Sequence, residues 1–127
     1  MATSFTLSEL TRRAERGDAE AQFLVGDAWT RLLGVDELAV YWFRQAAKGG
    51  QREAHARLAE LHSRDGVRRD AGEVFYRCVL GVLAGSRRAL AMLPAANRCL
   101  SAEERSRVLR RIAWERLARG TRAASEA

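Results

Sequence analysis

The stretch AVYWFRQAAKGGQREAHARLAEL, Ala39 to Leu61, holds the end of one helix and the start of the next, and its reading decides the fold. Counting back from Gly50, the residues Ala39, Trp42, Phe43, Ala46 and Ala47 recur at helical spacing and make one apolar stripe. Counting forward, Ala54, Leu58, Leu61 and His62 make a second stripe on a separate helix. Between them Gly49-Gly50 supplies the left-handed backbone that a tight turn needs. The unit is a helical hairpin.

Outward from this stretch the same unit recurs. Gly17, Gly50, Gly85 and Gly120 are each followed four residues later by alanine (Ala21, Ala54, Ala89, Ala124), at intervals of 33, 35 and 35 residues. Four residues past the first three alanines stand Val25, Leu58 and Leu93. Eleven before each later glycine stand Ala39, Val74 and Leu109. A single hairpin cannot bury its apolar face, so a repeat of this length with two helices per unit requires stacking of neighbours. The expected fold is all-α: a short right-handed α/α solenoid of about three hairpins behind a capping helix, roughly seven helices in all.

Composition allows such an array and excludes several alternatives. The chain has 127 residues, 47% of them apolar, and a single proline, which favours helix over sheet. A domain of this size buries about two-thirds of its unfolded surface and needs no staples. No apolar run approaches the ~20 residues that span a bilayer, and MATSFTLSEL has neither a basic nor a long apolar leader segment. The expectation is a cytoplasmic protein without membrane contact. Cys78 and Cys99 lie on different helices with no CxxC spacing, so they read as reduced thiols. The net charge is +6, but Lys48 is the only lysine among 22 basic residues, a bias that a GC-rich coding sequence produces as readily as a phosphate-binding surface does.

Along the chain, residues 1–5 are expected to be disordered, 6–120 to form one repeat domain, and 121–127 to be a frayed tail. Thr6-Leu7-Ser8-Glu9 fits a capping box for a helix from Leu7 to Arg16 that serves as an N-terminal cap of the array. Asp18 caps a helix from Ala19 to Arg31, in which Gly26 marks a place where a neighbouring helix crosses closely. Asp36 is the expected cap of the Trp42 helix, Gln51 to Arg64 the next helix, and Asp70 the cap after that. In the second unit Arg77 stands where Trp42 stood. Pro94 stands where Gly26 stood and is expected to kink or shorten its helix. Ser101-Ala102-Glu103-Glu104 caps a long last helix carrying Val108, Leu109, Ile112, Ala113 and Leu117.

These residues resemble the Sel-one-like repeat family, short relatives of the tetratricopeptide repeat. The resemblance rests on Ala21-Gln22-Phe23-Leu24-Val25-Gly26-Asp27-Ala28-Trp29, then Gly34-Val35-Asp36, Ala39, Trp42-Phe43, Ala46-Ala47 and Gly50. A second copy gives Ala54, Leu58, Gly66-Val67-Arg68-Arg69-Asp70 and Gly85, and a third is weak. What the resemblance implies is a non-catalytic scaffold or adaptor that binds another protein or peptide, with roles in signalling, secretion or toxin-immunity pairing among its members. It implies no cofactor.

By similarity to tetratricopeptide arrays, the first helix of each pair lines a concave groove. Placing Ala21, Ala54 and Ala89 on the packed side of their helices leaves an opposite arc free. That arc holds Glu20, Phe23, Asp27, Thr30 and Arg31, then Glu53, Ala56, Glu60, Ser63 and Arg64, then Arg88, Ala91, Ala95, Arg98 and Cys99. The expected groove is acidic near its start, basic toward Arg88 and Arg98, and anchored by an exposed Phe23. Its occupant is an extended or helical peptide, the chain itself being a monomer or weak homodimer.

Catalytic and metal chemistry find no support. His55 and His62 share a helix face without a third ligand, and His62 aligns with Trp29 as a packing residue. Neither cysteine has a positioned base, and no carboxylate pair has acid–base spacing. The alternative function is binding of nucleic acid or an acidic protein by the last helix, through Arg107, Arg110, Arg111 and Arg119. Trp114, off the main stripe, is its candidate surface contact.

Overall fold

The computed structural model describes residues 6–64 and 70–126, with side chains through Thr121. Seven helices are present among the described residues: α1 (Leu7–Glu15), α2 (Ala19–Arg31), α3 (Asp36–Lys48), α4 (Ala54–His62), α5 (Ala71–Leu83), α6 (Arg87–Arg98) and α7 (Ala102–Glu126). The architecture is an all-α solenoid. The hairpins α2–α3 and α4–α5 stack through α3 and α4, α1 covers α2, and α6 packs on α5. The third pair is open, because α7 lies chiefly on α5.

Local chemistry sets the helix starts. Thr6 and Glu9 close the capping box at 3.2 Å each way. Asp18, Asp70 and Ser86 each accept a hydrogen bond from the backbone N–H three residues on, at 3.1 Å. Asp36 does not do so: Val35 is the N-cap of α3, with no side-chain cap, and Asp36 is the first helical residue. There its charge still complements the positive end of the helix. The helix expected from Gln51 begins only at Ala54, because Gln51 Oε1 accepts the Glu53 N–H at 2.7 Å and holds a turn ahead of it.

The corners repeat as the spacing predicts. Gly17, Gly50 and Gly85 adopt φ of +95°, +88° and +91°, a conformation that costs an L-residue ~1–2 kcal/mol. Gly120 is not a fourth corner; it lies inside α7, which needs no turn there. The backbone also stays helical to Glu126, where the sequence reading expects fraying from Thr121. The expected disordered N-terminus, residues 1–5, lies outside the described residues, as does the Gly66–Arg69 part of the second repeat copy.

The core runs through the stack. Ala14, Ala21 and Val25 pack with Trp29 and Trp42 where α1, α2 and α3 meet. Phe43, Leu58 and Leu61 fill the space between the two hairpins. Phe75, Cys78, Ala96 and Leu100 join α5 to α6. A methyl group on Gly26 would lie 2.8 Å from the Phe43 ring, so the close crossing inferred from the sequence is real. α6 continues through Pro94 to Arg98 without being cut short. Pro94 lacks the N–H that would bond to Leu90, but both residues are exposed, so water can satisfy the freed carbonyl. Of the stripe expected on α7, Val108 and Ile112 face α5, whereas Leu109, Ala113 and Leu117 are exposed.

Candidate functional site

The arc of α2, α4 and α6 is bound together by its own charges. Asp27 on α2 sits 3.0 Å from Arg31 and 3.4 Å from Arg57 on α4. Glu60 on α4 pairs with Arg88 on α6. Glu53, just ahead of α4, accepts a hydrogen bond from Ser86, the N-cap of α6, at 3.0 Å. Arg64 reaches back to Asp36 on α3 at 3.6 Å. Of the residues expected as an acidic-to-basic gradient, Asp27, Glu53, Glu60 and Arg88 thus take part in rungs between successive helices. Partly exposed pairs of this kind contribute ~0–1 kcal/mol each, so they align the helices more than they stabilise them.

Two positions of the expected arc are covered. Phe23 is no exposed anchor. It is half-buried, its ring 5.4 Å from that of Phe43, with the Arg57 guanidinium 5.6 Å above it. The bulk of Phe43 on α3 draws the ring inward. Ala56 is fully buried, because α5 passes so close that Gly81 leaves no room for a methyl group between Ala89 and the start of α4. Glu20 and Arg98 are exposed and carry no ion pair among the described residues.

An apolar cavity of about 490 Å³ opens between the ends of α4 and α6 and the start of α5. Ser63, Ala95 and Cys99 of the expected arc line it, joined by Val74, Met92 and Ala96. The sequence reading missed Met92 and assigned Val74 to packing alone. The signal that could have found them is small residues at Ala91, Ala95 and Ala96 beside a methionine, which leaves room on the groove side of α6. Cys99 is exposed at this cavity, while burial pushes the Cys78 thiol up to about 11 and leaves it inert.

The remaining candidates disperse. Arg111 is held by Glu73 and Glu115 and lies 3.7 Å over the Tyr76 ring. Arg107 pairs with Glu103 at 3.6 Å. Arg110 is exposed and donates to the Ser106 carbonyl, and Arg119 is exposed beside His55. The phosphate-facing stripe expected on α7 is therefore divided between internal and external duties. His62 is buried, and burial lowers its pKa and keeps it neutral, as suits a side chain in the place of Trp29. No group of three or more His, Cys, Asp or Glu residues converges among the described residues. No described helix is long and apolar enough to cross a membrane.

No protein-family model and no curated protein matches the chain. Among solved structures it is similar to a Sel1 repeat protein from Oxalobacter formigenes, with a TM-score of 0.60 and 24% identity over 81% of this chain and 96% of that one. The fold is that of a Sel1-like repeat.

Proposed function

We propose that the chain is a non-catalytic protein-interaction module whose arc of α2, α4 and α6 receives a peptide of a partner protein. One apolar side chain of that peptide enters the cavity between α4, α5 and α6. The observation that carries this reading is the cavity itself: an apolar hole lined in part by Ser63, Ala95 and Cys99 of the arc, whose chain neighbours Arg64 and Arg98 are exposed. A buried apolar anchor beside charged rim residues is how a small interface concentrates its affinity. The ion-pair rungs keep the three helices aligned, so the peptide meets a preformed track.

The rungs also decide which variants test it. Reversing Asp27 and Glu60 would break contacts between helices as well as contacts to a partner. Ala95→Trp and Arg98→Glu change exposed positions of α6 instead. Peptides selected from a random library on the wild-type protein should carry an apolar residue near an acidic one. They should lose about tenfold or more in affinity for either variant, a change of ~1.4 kcal/mol. Equal binding to wild type and Ala95→Trp contradicts the assignment.

A further inference from the structure

The two inner junctions of the array differ most in character at the repeat position of Trp42. Where α1, α2 and α3 meet, Trp42 packs on Ala14, Ala21 and Val25 and closes the junction. In the next unit the equivalent of Trp42 is Arg77, and the equivalent of Ala14 is Ala47. There, where α3, α4 and α5 meet, a cavity of about 390 Å³ stays open. It is lined by Ala47 and by Arg44, Lys48, His55, Arg77 and, from α7, Arg119. Four of these are cations, and no carboxylate lines the cavity among the described residues.

Arg77 is held in place rather than free to leave. Its Nε donates to Glu73 at 3.1 Å and its Nη1 donates to His55 Nδ1 at 3.2 Å. Accepting that bond makes His55 the neutral tautomer with its proton on Nε2, a further donor. Burial, aided by the charges of Arg77 and Arg119, lowers its pKa to about 4, so it stays neutral beside them. Arg44, Lys48 and Arg119 are exposed at the mouth.

We propose that this cavity binds a phosphoryl group, carried by a small molecule or by a phosphorylated side chain of a partner. Arg77 is paired with Glu73, but Arg44, Lys48 and Arg119 carry no ion pair among the described residues, and a dianion in the space that these three cations face turns their mutual repulsion into attraction. A phosphoryl group brings nearly two charges and three acceptor oxygens, matched to fork-shaped guanidinium donors. A carboxylate brings one charge and two oxygens. The site is built from α3, α5, α7 and His55 at the start of α4, shares no residue with the expected arc of α2, α4 and α6, and stands or falls independently of it.

Calorimetric titration with inorganic pyrophosphate and with a phosphoserine peptide tests the assignment, with acetate as the carboxylate control. Saturable one-to-one binding of either phosphate probe is expected, weakening with added salt. Pyrophosphate alone points to a small-molecule ligand, and the peptide alone to a modified partner. Arg77→Trp, which restores the residue of the first unit, should abolish binding. Lys48→Glu combined with Arg119→Glu alters only exposed positions, leaves the fold intact, and should cost about a hundredfold. The proposal is overturned if neither probe binds, if acetate binds as well as pyrophosphate, or if the Lys48/Arg119 double variant binds like wild type.

Discussion

The α2–α3 hairpin and the α6–α7 pair follow the same sequence register and close in different ways. In the first, the Phe43 ring lies under Gly26, and Trp29 and Trp42 wedge against Ala14, Ala21 and Val25. In the second, α7 reaches across to α5 and buries only Val108 and Ile112 there, leaving Leu109, Trp114 and Leu117 at 47%, 73% and 61% exposure. What holds α7 otherwise is polar: Tyr76 donates to Glu115 at 2.6 Å, and Arg111 stacks on the Tyr76 ring. A glycine beside an aromatic ring lets two helices approach closely and share a dry core. Without that pair the last helix is fastened by directional contacts, which hold it in place while leaving its outer face wet.

Removing the ring should break this contrast most severely. Phe43→Ala empties the space between both hairpins and should cost ~3–5 kcal/mol in denaturant unfolding. Gly26→Ala forces a methyl group against the same ring and should cost ~1–3 kcal/mol. Combining it with Phe43→Leu should recover part of that loss in a double-mutant cycle.

Acid should act next, at the junction that Arg77 leaves open. The pKa of His55 is about 4 in the fold and 6.5 unfolded, so between these values the unfolded chain binds the extra proton. Its contribution to stability is complete above about pH 6.5 and is lost as pH falls toward 4. His55→Gln should flatten that limb in unfolding curves collected across the range. At the α7 end the effects shrink. Tyr76→Phe removes the donor to Glu115 and should cost ~1 kcal/mol. Trp114→Ala should change stability by less than ~0.5 kcal/mol, because the side chain is in water. A larger loss at Trp114 than at Tyr76 would mean that α7 is packed in solution as tightly as α3.

Much of this frame was legible in the sequence, and the parts that were not share a cause. Gly17, Gly50 and Gly85 were readable as corners because only a positive φ turns the chain there. Gly120 matched the interval and the flanking Leu109 and Ala124, yet it needs no positive φ, since α7 runs on through it. Spacing on a helical wheel put Glu60 and Arg88 on the same side, and the two pair across α4 and α6, but the wheel holds no information on neighbours. It could not tell that Arg57 would cover Phe23, or that α5 would pass against Ala56. The acidic and basic residues of the arc were identified, and their mutual pairing was not, because it depends on the distance between successive helices. Both cavities were hidden for the same reason: each is a space left where three helices meet, and the sequence records only what lines it.

The most direct test of the binding surface uses the thiol at its edge. Cys99 is exposed and lines the apolar cavity, while Cys78 is buried and unreactive. The rate of Cys99 alkylation by iodoacetamide should fall about tenfold or more when a peptide selected on the wild-type protein is bound, and the protection should vanish in Ala95→Trp. An alkylation rate unchanged at saturating peptide would place the ligand elsewhere on the solenoid.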